Sequence, residues 1–348
     1  MTRFIQLHLL TSYPPSNLNR DDLGQPKTAR LGGVERLRIS SQSLKRAWRT
    51  SEIFQQQLAG TIGTRTKLLG REVFAALIKA EIAEKQAAEW ASKIAQVYGS
   101  VKKDNPLEIE QLVHVAPEEQ QSLDALVATL IQEKRAPKQD ELDALLHDQT
   151  AVDIAMFGRM LASKIEYNEE AAIQVAHAIG VHASPIEDDY FTAVDDLNKT
   201  YKKDDAGAGH IGESAFAAAL FYQYICIDRD RLKKNLGDDE ALTERALRAL
   251  TEAALKVGPS GKQNSYASRA YAHFALVEKG SQQPRSLTLA FIQAVAGDNY
   301  VEESIAVLRK VQTNMDKVYG ACADERMSLD VFAGEGSCQQ LLDFAAGE

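Results

Sequence analysis

From about residue 70 to 182 the chain is dominated by Ala, Glu, Gln and Leu, in runs such as REVFAALIKAEIAEKQAAEWASKIAQVYG and EEAAIQVAHAIGVH. Apolar residues recurring every three to four positions predict helices across this block. Strand-like alternation stands on both sides of it. Residues 3–13 (RFIQLHLLTSY) place Ile5, Leu7 and Leu9 on one face, and residues 34–39 (VERLRI) alternate again after a turn-rich loop from Pro14 to Gly33. AFAAALFYQYICID reads as a central strand and YAHFALVE as another, with helices expected over about 238–257, 286–296 and 301–319. A helical block set between strands contributed by both ends of the chain predicts an α+β fold interrupted by insertions. The connections near KKDNP and EKRAPKQD read as charged and disordered, and NKTYKKDDAGAGHIG as a long mobile loop or hairpin.

Charge is distributed unevenly. The formal net charge is −9, yet residues 1–50 hold nine Lys/Arg against Asp21, Asp22 and Glu35. That segment carries +6, so a basic groove on an otherwise acidic body is expected. Three widely separated cysteines (Cys226, Cys322, Cys338), no CxxC pair and no HExxH spacing argue against a disulfide framework or a metal site. Nothing approaches the roughly 20 apolar residues of a membrane helix. The N-terminus does not read as a signal peptide, because Gln6, His8, Ser12 and Tyr13 interrupt its apolar run, so a cytoplasmic chain is expected.

The basic segment is best organised at SSQSLKRAWR. Ser40 or Ser41 is suited to cap a helix running to about Thr50. Gln42, Lys45, Arg46 and Arg49 then share one helical face, while Leu44, Ala47 and Trp48 form the other. Adjacent cations repel one another, so the spacing suits successive phosphates, with serine hydroxyls and N–H groups at the helix start available to another. Arg36 and Arg38, read as one face of the preceding strand, would extend that surface. A plain solvated amphipathic helix or an interfacial membrane helix would share this pattern, although the apolar face is small for a membrane.

FIQLHLL, SNLNRDD, GG, RLRISSQSLKRAWR, VDIAMFGRM, VAHAI, DYFTAVDDL and FYQYICID, in that order from residue 4 to about 235, resemble the type I-E CRISPR Cascade backbone subunit, the CasC family. The resemblance implies an RRM-like (ferredoxin-like) palm over residues 1–60 and 214–348. It also implies helical fingers over 61–186 and a protruding thumb over 187–213. Copies would stack along a guide RNA, with other Cascade subunits and a target DNA strand as further partners and no cofactor. By the same resemblance Arg20, Lys27, Ser40, Gln42, Lys45, Arg46 and Arg49 line the RNA backbone, Met160 packs beside a displaced base, and Thr192 and Ile211 stand at the thumb's edges. Without that context a methionine such as Met160 is a core filler. A holder of arbitrary guides reads phosphate and shape, because base pairing carries the sequence.

Two motifs point elsewhere. Gly207-Ala-Gly209-His-Ile-Gly212 is formally GxGxxG, but a dinucleotide fingerprint needs a hydrophobic lead-in strand, and Lys202 to Asp205 precede it here. Asp21-Asp22, beside the basic groove, would give a metal-dependent RNA-guided nuclease as the alternative function. Adjacent carboxylates on an extended backbone face opposite ways, and pairing of these acids with Arg20 or with a neighbouring subunit is the simpler reading. No catalytic residue is expected.

Overall fold

The structure, a computed structural model, describes residues 2–146, 151–161, 164–193 and 210–347. Most of the expected thumb segment, including Gly207 and Gly209, lies outside the described residues. Eleven strands are described: β1 (Phe4–Ser16), β2 (Thr28–Leu31), β3 (Val34–Ile39), β4 (Thr64–Thr66), β5 (Val113–Val115), β6 (Ile173–Val175), β7 (Ala178–Gly180), β8 (Glu187–Ala193), β9 (His210–Asp228), β10 (Phe274–Gly280) and β11 (Glu325–Asp330). With the helices described between them they make an α+β fold. The chain divides into two compact units, one of Met1–Ser51, Val175–Cys226 and Leu250–Glu348, the other of Glu52–Gln174 and Ile227–Ala249.

The first unit is built on a sheet ordered β11-β10-β1-β9-β7-β3-β2, with antiparallel ladders joining β1 to β10, β10 to β11, β7 to β9, β3 to β7 and β2 to β3. β2 lies inside the stretch expected to be a loop. Gly32 and Gly33 both adopt positive φ (61° and 84°) in a two-residue turn between Leu31 and Val34, the geometry that a tight hairpin requires. A Cβ on Gly32 would also stand 1.7 Å from the Ile292 carbonyl oxygen. The expected helix over 286–296 is only a short 3-10 turn, Thr288–Phe291, whereas 300–319 is helical as expected. Leu287, Ala290 and Phe291 pack with Leu10, Tyr222, Phe274, Ile305 and Leu308 in the core beneath that helix.

β1 is buried on both faces, and β10 and β9 flank it in the middle of the sheet. Ile5, Leu7 and Leu9 are fully buried on one face, and Gln6 and His8 are buried on the other. The second face is polar yet satisfied. His8 Nδ1 lies 2.8 Å from the Tyr222 hydroxyl and its Nε2 lies 3.1 Å from Glu278. The Tyr222 oxygen accepts the Leu287 N–H at 3.0 Å, so its own proton points to His8 Nδ1, and Nε2–H donates to Glu278. Arg285 and Arg326 also bond the Glu278 carboxylate, at 3.1 and 2.7 Å.

This network predicts an acid-sensitive fold. Burial lowers the His8 pKa, against the opposing pull of Glu278 and with help from the charges of Arg285 and Arg326. His177 and His273 are lowered by burial as well. A histidine whose folded pKa lies below its unfolded value of about 6.5 binds its proton more readily in the unfolded chain. Stability is therefore full above about pH 6.5 and declines as pH falls below it, by up to about 1.4 kcal/mol per pH unit for fully buried His8. Urea midpoints measured from pH 7.5 to 5.5 should fall on acidification. Midpoints that hold constant or rise would refute the neutral, buried His8.

The second unit packs the helices Leu69–Lys79, Glu84–Tyr98 and Pro117–Glu133 around Leu77, Trp90, Ile94, Tyr98, Leu123 and Leu130. A short antiparallel hairpin of β4 and β5 pairs Thr64 with Val115. The two connections expected to be disordered are structured. Lys102 pairs with Glu108 at 2.5 Å, and Arg135 bridges Glu133 and Glu141, so charges that suggest disorder in the sequence satisfy one another locally.

Candidate nucleic-acid interface

The helix α1 spans Ser41–Arg49. Ser40 is its N-cap, with Oγ accepting the Ser43 N–H at 3.3 Å. Leu44 and fully buried Trp48 anchor its inner face, and the Trp48 indole N–H donates to the Val257 carbonyl at 3.2 Å. Gln42 and Arg46 are exposed, and Lys45 and Arg49 are half-buried on the same side. Partial burial lowers the Lys45 pKa, so its charge sits where an anion would stabilise it.

The loop before β2 is fastened to this helix. Asn19 Oδ1 accepts the Ser40 N–H at 2.8 Å, and buried Asn17 donates to the carbonyls of Gly24 and Ala215 at 2.9 and 2.8 Å. The Lys27 N–H donates to the Asn19 carbonyl, and the Lys27 carbonyl accepts from the Arg38 N–H, both at 2.8 Å. Sequence reasoning passed over these asparagines, although their place in a turn-rich loop was a signal for backbone-bonding side chains. Arg20, Lys27, Ser40, Gln42, Lys45, Arg46 and Arg49 all belong to the sheet unit, with Ser40 buried as the helix cap. Arg20 and Arg46 line a common cleft of about 380 Å³ with Asn19, Asp21, Ser43, Thr50, Ser260 and Gly261. Lys27 lines a small adjoining crevice with Arg38.

Two sequence expectations need correction. Arg36 does not extend the basic surface: it is fully buried, donating to the Gly180 carbonyl at 2.9 Å and to the Phe291 carbonyl at 3.4 Å. Asp21 does not pair with Arg20. Its Oδ1 accepts the N–H groups of Leu23 and Gln25, each at 2.9 Å, and so holds the loop's own turn. Arg38 remains at the surface, 2.8 Å from His177 Nδ1, and burial together with the charges of Arg38 and Lys27 lowers the His177 pKa. His177 is a site neighbour that its sequence spacing did not indicate.

Met160 lies in the second unit and is 75% exposed, so it is not a core filler. Its neighbour Arg159 is buried, in an ion pair with Glu119 at 2.8 Å and a backbone bridge to Glu169. Thr192 is exposed on β8 and stands directly across the ladder from Ile211 on β9. Among the described residues no group of three His, Cys, Asp or Glu side chains could hold a metal ion, and no helix is long and apolar enough to cross a membrane.

The family model of the CT1975-like proteins matches residues 5–341. The chain belongs to this family. Two solved structures resemble this member along its whole length. A chain of a "CRISPR RNA-guided surveillance complex, pre-nicking" is 29% identical, with 99% of both chains covered and a TM-score of 0.83. A chain of a "CRISPR RNA-guided surveillance complex" is 25% identical, again with 99% of both covered and a TM-score of 0.74. A search among curated proteins found no match. Family membership bears out the resemblance that the ordered sequence blocks suggested.

Proposed function

We propose that this chain is a guide-RNA-binding backbone subunit of a CRISPR surveillance complex, which assembles along the RNA and supports pairing of a target DNA strand in antiviral defence. The observation that carries this reading is α1: a capped, tryptophan-anchored helix that presents Gln42, Lys45, Arg46 and Arg49 beside Arg20 on a family member otherwise acidic in charge. A rigid row of cations on a sheet matches phosphates without reading bases. In this reading residues 1–60 and 214–348 form an RRM-like palm, residues 61–186 the fingers and residues 187–213 the thumb. Exposed Met160 would pack beside a displaced base, and Thr192 and Ile211 would stand at the thumb's edges. Further copies of the chain and other subunits of the complex are the partners, in the cytoplasm.

The chain performs no chemistry in this proposal. A metal-dependent nuclease would need carboxylates converging on a cation. Asp21 is committed to two loop N–H groups, and Asp22 is its exposed neighbour.

Light scattering of the purified chain with and without guide RNA tests the assembly, and complementary RNA and DNA added with Mg²⁺ or Mn²⁺ test the chemistry. RNA-dependent oligomers and uncut strands are expected. Strict monomers at saturating RNA would count against the backbone role. Periodic cuts lost on Asp21→Ala or Asp22→Ala would establish the nuclease instead.

A further inference from the structure

The cleft beside α1 has a second wall that the basic helix does not supply. Ser260 and Gly261 line the cleft together with Arg20 and Arg46. They begin a loop, residues 258–269, whose fixed shape is unusual. Lys262 and Ala267 both hold left-handed backbone conformations (φ 48°) on either side of the single helical turn Gln263–Tyr266. Non-glycine residues rarely adopt that conformation, and it persists only where the surroundings over-determine it.

Those surroundings are visible. A Cβ on Gly258 would stand 2.4 Å from the Tyr13 hydroxyl, and one on Gly261 would stand 2.3 Å from the Leu18 carbonyl oxygen, so both glycines press the loop against the end of β1. Gln263 Nε2 donates to the carbonyls of Pro259 and Ser268, at 3.2 and 3.3 Å, and closes the loop across its base. The Tyr266 ring packs against Phe216 on β9. All of these residues belong to the sheet unit.

Two cations, Arg20 and Arg46, line the cleft against one acid, Asp21. Among the described residues the guanidinium groups of Arg20 and Arg46 and the exposed Lys262 ammonium form no ion pair. Asp21, the acid on the cleft wall, has one carboxylate oxygen engaged by the Leu23 and Gln25 N–H groups. Hydroxyls of Ser43 and Ser260 line the cleft as neutral donors, whereas that of Thr50 donates to the Arg46 carbonyl at 2.8 Å. Unpaired cations and hydroxyl donors around a concave, preorganised volume suit a phosphodiester.

We propose that the 258–262 loop is the second jaw of the nucleic-acid grip, so that a backbone phosphate seats between Arg20 and Arg46 on one side and Ser260, Gly261 and Lys262 on the other. The proposal rests on the RNA-binding reading above and assigns it a loop more than 200 positions away in sequence from α1. Strain in this loop then has a purpose: a jaw already held in shape loses little conformational entropy when RNA arrives.

The test measures affinity for a fluorescent, unstructured single-stranded RNA as a function of salt, using the full chain. Lys262→Ala should flatten the slope of log affinity against log salt by about 0.7 and weaken binding roughly fourfold at about 0.15 M salt. Ser260→Glu should weaken binding about tenfold or more, because it sets a carboxylate against the phosphate. Thr313→Glu, an exposed change of equal charge on the helix Tyr300–Tyr319, should have little effect. Equal losses for Ser260→Glu and Thr313→Glu, or an unaltered slope for Lys262→Ala, would overturn the second jaw. If Lys45→Ala/Arg49→Ala still weakens binding in that case, the RNA-binding reading stands without the jaw. If that pair is silent too, both fail. Ser260 and Lys262 are exposed, and unchanged thermal midpoints would confirm that the variants report on binding.

Discussion

With Lys45 and Arg49 both changed to alanine, RNA affinity falls roughly 15- to 40-fold at about 0.15 M salt, and the slope of log affinity against log salt flattens by about 1.4 to 2. The two figures are linked. Each neutralised phosphate releases counterions, so two lost contacts weaken binding most at low salt and scarcely at all near 1 M. The loss is uniform across guide sequences, because phosphate contacts carry no base information. Both residues stand on the outer side of α1, one turn apart, and the inner side is held by Leu44 and Trp48. The helix therefore survives the substitutions. Binding isotherms at four or five salt concentrations, on two unrelated guides, decide the matter. A guide-dependent loss, or an unaltered slope, would remove phosphate contact as the role of these side chains.

Trp48→Ala should cost about 3–5 kcal/mol of stability, the range for deleting a buried aromatic that leaves a cavity. Trp48 is fully buried, and its indole N–H serves the Val257 carbonyl, so the substitution removes packing and a hydrogen bond together. The functional loss should accompany the structural one, since Trp48 fixes the roll of α1 and hence the aim of Arg46 and its neighbours. Trp48→Phe separates the two effects. It retains most of the volume but withdraws the donor from the buried carbonyl, at a cost of about 1–3 kcal/mol. Urea unfolding gives the stability and the RNA titration gives the binding. If Trp48→Ala leaves the unfolding midpoint within experimental error of the parent, the anchoring role assigned to Trp48 is wrong.

The boundaries of local elements were legible because short-range chemistry sets them. Ser40 was visible as a cap, and the 3.6-residue spacing of Gln42, Lys45, Arg46 and Arg49 against Leu44 and Trp48 defined both faces of α1. The run AFAAALFYQYICID was legible as a central strand from the β-branched and aromatic alternation at its end. Failures occurred where a distant partner overrules the local pattern. LTLAFIQAVAG has helical spacing, yet Phe291 and Ala290 are drawn into the core against Tyr222 and Ile305, and only a 3-10 turn remains. The charged connections misled for the opposite reason: Lys102 with Glu108, and Arg135 with Glu141, find partners only six positions away.

By itself the sequence determined the α+β class, the helical block between strands, the basic helix with its cap and its two faces, and the family. The tertiary structure alone decided which charges are available. Arg36 and Arg38 alternate with the same strand neighbours, but Gly180, Phe291 and Ile292 close over Arg36 and leave Arg38 at the surface. Ser260 and Gly261 became part of the site only because two glycines let their loop lie against β1. Helical and strand periodicity depends on neighbours a few residues away, which a sequence displays. Burial of a charge such as Arg36 depends on residues 144 to 256 positions distant, and those meet only when the sheet is assembled.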